Sequence, residues 1–176
     1  MQNVRNRKLN RLKGYDYSQD GWYFVTICIK DRIECLGKIK NEKMEYSRYG
    51  DIVLKYWQTI PDYYKNVFFD EWVIMPNHIH GIIVIENPAG TEQCSVPTMA
   101  DKNKKCGLLS KIVKSFKEIS LKTIRKNYND YEFIWQRSFY DHIIKNEKSL
   151  NKIRHYIYYN PAKWELDRNN PENLLM

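Results

Sequence analysis

Paired cysteines are missing from this sequence. Its four, Cys28, Cys35, Cys94 and Cys106, fall at irregular spacings with no C-x-x-C pair. That pattern points to reduced thiols and a cytoplasmic location rather than to disulfide staples or a sulfur-ligated zinc. Long hydrophobic runs are missing too. Stretches such as Gly81 to Ile85 are far below the roughly 20 residues a bilayer span needs, and the N-terminus is polar and basic without the apolar core of an export signal. Internal repeats are absent. What is present is a chain of 176 residues, 43% hydrophobic and 14% aromatic, which matches one domain of roughly 100–200 residues with ample material for a core.

Acidic residues are scarce where basic ones gather. Arg5, Arg7, Lys8, Arg11 and Lys13 precede the first acid, and nine basic residues between Lys102 and Lys126, among them Lys111, Lys114 and Lys117, face Glu118 alone. The formal net charge is +8. Two basic clusters in a chain rich in tyrosine and tryptophan point to a polyanion whose phosphates release counterions and whose bases stack on rings. Nucleic acid is the expected partner.

Tyr23 to Lys30 reads as a first strand, and Cys35 to Ser47 as a strand pair turning near Asn41. Arg48 to Tyr64 reads as a helix that Pro61 ends. Phe68 to Met75 and His78 to Glu86 read as antiparallel strands broken at Pro76-Asn77, and Asn87 to Cys106 as a long loop. Gly107 to Asn127 has Ile112, Phe116, Ile119 and Thr123 along one helical stripe, and Asn146 to Asn160 is a last helix with Leu150, Ile153 and Ile157 facing the core until Pro161 stops it. The order implies an α+β fold, a ferredoxin-like antiparallel sheet with helices packed on one face. The expected organisation is a basic arm over residues 1–20, a single domain over 21–165 and a tail over 166–176.

His78 and His80 are two of only four histidines. At i, i+2 on a strand both imidazoles leave the same face, as one divalent ion requires. Two imidazoles are an incomplete set, since a catalytic ion usually has three protein ligands and an open position. On the last helix Tyr156 and Asn160 stand i, i+4 on the shoulder of the apolar stripe. Among 14 tyrosines, Tyr140, Tyr158 and Tyr159 are formal rivals to Tyr156 as a nucleophile.

Met75-Pro76-Asn77-His78-Ile79-His80-Gly81 resembles the HUH motif of single-tyrosine transposases. The run Trp135 to Glu147, followed by Tyr156-Ile157-Tyr158-Tyr159-Asn160-Pro161-Ala162-Lys163-Trp164, is similar to the C-terminal signature of the REP-associated tyrosine transposases, and Arg11 to Tyr17 resembles that group's entry segment. The resemblance runs from about Arg11 to Trp164. It implies His78 and His80 as metal ligands, Tyr156 as nucleophile and Asn160 as a further ligand, with Asn standing where Gln is usual in related insertion-sequence enzymes. His142 occupies a motif position without an assigned role.

The implied activity is a Mg²⁺- or Mn²⁺-dependent cleavage and rejoining of single-stranded DNA beside a hairpin, through a 5′-phosphotyrosine. Imidazole ligands favour Mn²⁺ over Mg²⁺, and Lys152 stands near enough in sequence to help the phenol shed its proton. Arg5, Arg7, Lys8, Arg11 and Lys13 would enter a groove while Lys111, Lys114 and Lys117 track phosphates. A homodimer is left open. The competing readings are a non-catalytic nucleic-acid binder on the same fold and a phosphodiesterase that hydrolyses without a covalent link. The first lacks the glycine-rich aromatic strand of RNA-binding sheets, since the third strand's only glycine is Gly81.

Overall fold

The computed structural model describes residues 15–86, 107–167 and 169–171. The basic arm residues Arg5, Arg7, Lys8, Arg11 and Lys13, the 87–106 segment, Cys94 and Cys106 lie outside them. Among the described residues six strands and four α-helices follow in the order β1 (Gly21–Cys28), β2 (Gly37–Lys40), β3 (Lys43–Tyr46), α1 (Arg48–Gln58), α2 (Ile60–Tyr63), β4 (Val67–Met75), β5 (His78–Ile85), α3 (Leu108–Tyr128), β6 (Tyr140–Ile144) and α4 (Glu147–Tyr158). Four strands make one antiparallel sheet in the order β4-β5-β1-β6. With β2 and β3 set aside as a hairpin, the succession β1-α1-β4-β5-α3-β6 is the split βαβ arrangement of ferredoxin-like folds. The expected α+β fold class is therefore the observed one.

Strand alternation divides the core in two. Tyr23, Val25 and Ile27 of β1 and Ile79, Ile83 and Ile85 of β5 pack against Val53 and Trp57 of α1 and Ile112 and Phe116 of α3. Their alternates, Phe24, Ile82 and Val84, join Ile144 and meet Ile157 of α4 on the other face. α1 and α3 thus share one face and α4 stands alone on the other, the face from which even-numbered β5 side chains project. Gly81 is set by the α1 face: a Cβ there would lie 2.6 Å from Cζ2 of Trp57, which is fully buried.

Local chemistry explains the element ends. Ser47 caps α1 by accepting from the N–H groups of Tyr49 and Gly50, and Asn146 caps α4 by accepting from Ser149 N–H at 2.9 Å. Asn41 and Glu42 both take positive φ, 50° and 60°, as a two-residue hairpin turn requires. Two expectations are corrected. Pro61 does not end the long helix: α1 stops at Gln58, and Pro61 lies in the first turn of α2, where its missing N–H costs nothing. The buried stripe of α3 runs through Leu109, Ile112, Val113, Phe116, Ser120 and Ile124, leaving Ile119 42% exposed. Buried Ser120 fits because its hydroxyl donates to Phe116 O at 2.9 Å and accepts from Trp135 Nε1 at 3.0 Å.

Candidate active site

β5 opens with His78 and His80, both fully buried, on the α4 face. Their rings stand 4.4 Å apart between centroids. Each is oriented by a neighbour. Nδ1 of His80 lies 2.9 Å from Oγ1 of Thr26, its register partner on β1, and its ring stacks on Phe24 at 5.4 Å. Nδ1 of His78 lies 2.8 Å from Oδ1 of Asn77. Asn77 Nδ2 donates to the carbonyls of Arg32 at 2.9 Å and Asn169 at 2.8 Å. Only its oxygen can therefore face His78, so His78 Nδ1 carries the proton and Nε2 keeps its lone pair, the form that binds metal.

α4 brings the phenol. Tyr156 is 40% exposed, yet its hydroxyl lies 3.0 Å from Nε2 of His80 and donates to Oδ2 of Asp167 at 3.3 Å. The ring meets Phe24 edge-on at 6.2 Å, so one phenylalanine supports both imidazole and phenol. Asp167 is buried and held by Asn169 N–H at 2.6 Å and Asn160 Nδ2 at 3.0 Å. Ligand atoms of His78, His80 and Asp167 all lie within 4.8 Å of one another.

Two imidazoles, one carboxylate and an amide make a donor set that suits a divalent ion. Asn160, 2% exposed, gives its N–H to Asp167, while its Oδ1 is buried without a hydrogen-bond partner among the described residues. Such an orphaned acceptor is costly unless something binds it, and a cation would. Imidazole nitrogens, a carboxylate and an unclaimed carbonyl oxygen therefore fit the implied metal.

Of the residues expected at the site, His78, His80, Tyr156 and Asn160 come together. The rival tyrosines do not share their position. Tyr158 is 70% exposed, Tyr159 packs tilted against His155 with ring centres 4.3 Å apart, and Tyr140 lies on β6 beyond Phe24. His142 is exposed and faces Phe24 in the β1–β6 register. The α3 lysines are behind the sheet from the histidines. Lys111 is exposed, and Lys114 pairs with Glu118 at 3.7 Å. Lys117 is half-buried and donates to the carbonyls of Gln136 at 2.8 Å and Ser138 at 3.1 Å, and burial pushes its ammonium down to about 8.

Sequence reasoning missed Asp167, Thr26, Phe24 and Asn77. Asn77 reads as a strand break and as part of the Met75 to Gly81 block without a role of its own, and Asp167 lies in the segment expected as a tail, seven residues past Asn160.

Among the described residues no helix is long and apolar enough to cross a membrane. No protein-family model matches the chain. The chain is 40% identical over 172 residues, 94% of its length and 93% of the relative's, to an uncharacterized protein of Haemophilus influenzae. It is 29% identical over 149 residues, 84% of its length and 74% of the relative's, to a protein of the same organism named "Putative REP-associated tyrosine transposase". A solved structure of a REP-associated tyrosine transposase bound to a REP hairpin has the same fold, with a TM-score of 0.54 and 20% identity over 89% of this chain and 74% of that one. Sequence blocks, one named relative and the fold point the same way: the chain is similar to the REP-associated tyrosine transposases.

Proposed function

We propose that this protein is a transposase that cleaves and rejoins single-stranded DNA beside a hairpin through a covalent 5′-phosphotyrosine on Tyr156. The observation that carries this reading is the phenol hydroxyl 3.0 Å from His80 Nε2 and 3.3 Å from Asp167, inside the His78, His80 and Asp167 cluster. His78, His80 and Asp167, with Asn160 Oδ1, would hold a divalent ion, Mn²⁺ or Mg²⁺. When bound, the ion supplies a Lewis acid for a non-bridging phosphate oxygen.

The chain's own groups do the rest. Thr26 and Asn77 fix the imidazoles, and Phe24 holds the Tyr156 ring so that its oxygen faces the cluster. An ordinary phenol has a pKa of about 10, and the hydrogen bond to Asp167 Oδ2 gives its proton a path out. Attack forms the phosphorus–Oη bond and breaks the bond to the 3′ oxygen, which leaves as a hydroxyl. That hydroxyl reverses the step during rejoining, so the bond energy is kept and no nucleotide cofactor is consumed. Nucleophile and ligands come from one chain, so a second copy is not needed to assemble the site.

A hairpin is the proposed substrate because it presents a duplex shape beside an unpaired strand, and the REP-associated tyrosine transposase of the same fold is itself bound to a REP hairpin. The basic arm Arg5, Arg7, Lys8, Arg11 and Lys13 is proposed to contact the duplex.

The test is incubation with Mn²⁺ and a 3′-labelled single-stranded hairpin, then denaturing electrophoresis. Label should stay on wild type, vanish in Tyr156→Phe and persist in Tyr140→Phe. Cuts without label on protein would make the enzyme a hydrolase, and neither cuts nor label would leave a binder.

A further inference from the structure

We propose that the outer face of α4, continued into the 3₁₀ segment Pro161–Leu166, is the track on which the unpaired DNA strand reaches Tyr156. Lys152 and Lys163 bind its phosphates and Tyr159 stacks one of its bases. The proposal rests on the nuclease reading above and assigns the strand-binding part of that same site.

Leu150, Ile153 and Ile157 turn inward against the sheet, so helical spacing sends Lys152, His155, Tyr156 and Tyr159 to the outer side. These residues line a cleft of about 240 Å³ together with Lys163 and Asp167. The cleft therefore has the phenol and the carboxylate of the site in its wall and cations beside them. Along the helix, Lys152 and Tyr159 are about 10 Å apart at 1.5 Å per residue, a span matching a strand that crosses rather than touches the nucleophile.

Three features mark the face as built for a nucleic-acid strand. First, the ammonium groups of Lys152 and Lys163 have no ion-pair partner among the described residues. By contrast Arg154, on the sheet side, is engaged by Asp70, and Lys114 and Lys117 on α3 are engaged by Glu118 and by backbone carbonyls. Second, Tyr159 is 41% exposed on a face the core does not need, with Lys163 Nζ 5.9 Å from its ring centre and the His155 ring 4.3 Å away. An exposed ring with a lysine beside it is the combination that binds single strands, where stacking and phosphate attraction act together. Third, the carboxylate in the wall, Asp167, is turned to Asn160 and to the Asn169 N–H, so its charge is partly answered before a phosphate arrives.

The experiment uses the full chain and two fluorescent probes, one hairpin with a single-stranded extension and one blunt hairpin. Binding is measured by anisotropy across a salt series. Lys152→Gln/Lys163→Gln should flatten the slope of log K against log salt by about 1.4 on the extended probe, at about 0.7 per phosphate contact. The blunt probe should be unaffected. Tyr159→Leu should weaken the extended probe about tenfold without changing the slope. All three side chains are exposed, so folding is preserved. An unchanged slope, or the same loss on both probes, would overturn the track. Adduct formation by wild type is scored separately: no adduct with a flattened slope removes the nuclease and keeps the track, whereas an adduct with an unchanged slope does the reverse.

Discussion

The side-chain oxygen of Asn77 lies 2.8 Å from Nδ1 of its neighbour His78, and that contact decides which imidazole nitrogen carries the proton and which keeps the lone pair a metal would take. The amide cannot flip, because its nitrogen donates to two carbonyls, those of Arg32 and Asn169. Outer partners of this kind typically set metal affinity by 10- to 100-fold. Asn77→Ala should weaken Mn²⁺ binding by that order, read by calorimetric titration, with a fall in melting temperature because two buried carbonyls lose their donor. Unchanged Mn²⁺ affinity would mean that His78 needs no orienting partner.

A second contact holds the helix that carries Tyr156, the proposed nucleophile. Arg154, two residues before Tyr156, donates to both carboxylate oxygens of Asp70 at 2.7 and 2.9 Å, and its guanidinium lies over Trp22 at 5.6 Å. Asp70 lies where the β4–β5 register shifts between Phe69 and Trp72, an irregularity that re-aims side chains. The pair is partly exposed, 38% and 19%, so breaking it should cost only about 0.5–1 kcal/mol in stability. Asp70→Ala and Arg154→Ala should nonetheless slow adduct formation several-fold by loosening the placement of Tyr156. The exchange Asp70→Arg/Arg154→Asp should recover part of the rate. Loss of stability with unchanged rate would confine the pair to a structural role.

What was legible in the sequence follows from how much each residue repeats a pattern. β1 and β5 are central strands with near-continuous apolar faces, and the histidine pair could be placed on one face from alternation alone. β6 was not read as a strand. Tyr140-Asp141-His142-Ile143-Ile144 is a short edge strand whose Tyr140 and His142 are exposed, so it carries little hydrophobic signal. Tyr156 and Asn160 were legible from helical spacing. Asp167 was not, because it arrives after a 3₁₀ segment with no periodicity, and only the tertiary contacts of Asn160 and Asn169 bring it inward. Lys117 looked like the other α3 lysines because its carbonyl partners lie in a loop about twenty residues away.

That last difference has a pH signature. Burial brings Lys117 to about 8, against 10.5 for a free lysine. Below about pH 8 both states are charged and the folded state bears the full cost of the buried ammonium. Between about 8 and 10.5 the unfolded chain binds more protons, so stability rises with pH. Relative to Lys117→Met, wild type should gain roughly 3 kcal/mol on going from pH 7 to pH 10.5, at about 1.4 kcal/mol per unit. Urea denaturation of both proteins at the two pH values measures it, and parallel behaviour would show that the two carbonyls compensate the burial.

A substitution at Asp167 separates the proposed metal binding from the proposed attack by Tyr156. Its Oδ2 accepts from Tyr156 and Asn160 while Oδ1 accepts from Asn169 N–H, and it lies with His78 and His80 in one cluster of ligand atoms. Asp167→Asn keeps the size of the side chain but removes the charge, and its amide nitrogen would oppose the Asn160 amide that now donates to it. Mn²⁺ affinity should fall at least tenfold, about 1.4 kcal/mol. Tyr156→Phe should leave that affinity within about twofold, because the phenol faces the cluster without being needed as a ligand. If Asp167→Asn binds Mn²⁺ as wild type does, the carboxylate is a brace for Asn160 and the 169–170 turn, and the third ligand must be Asn160 itself.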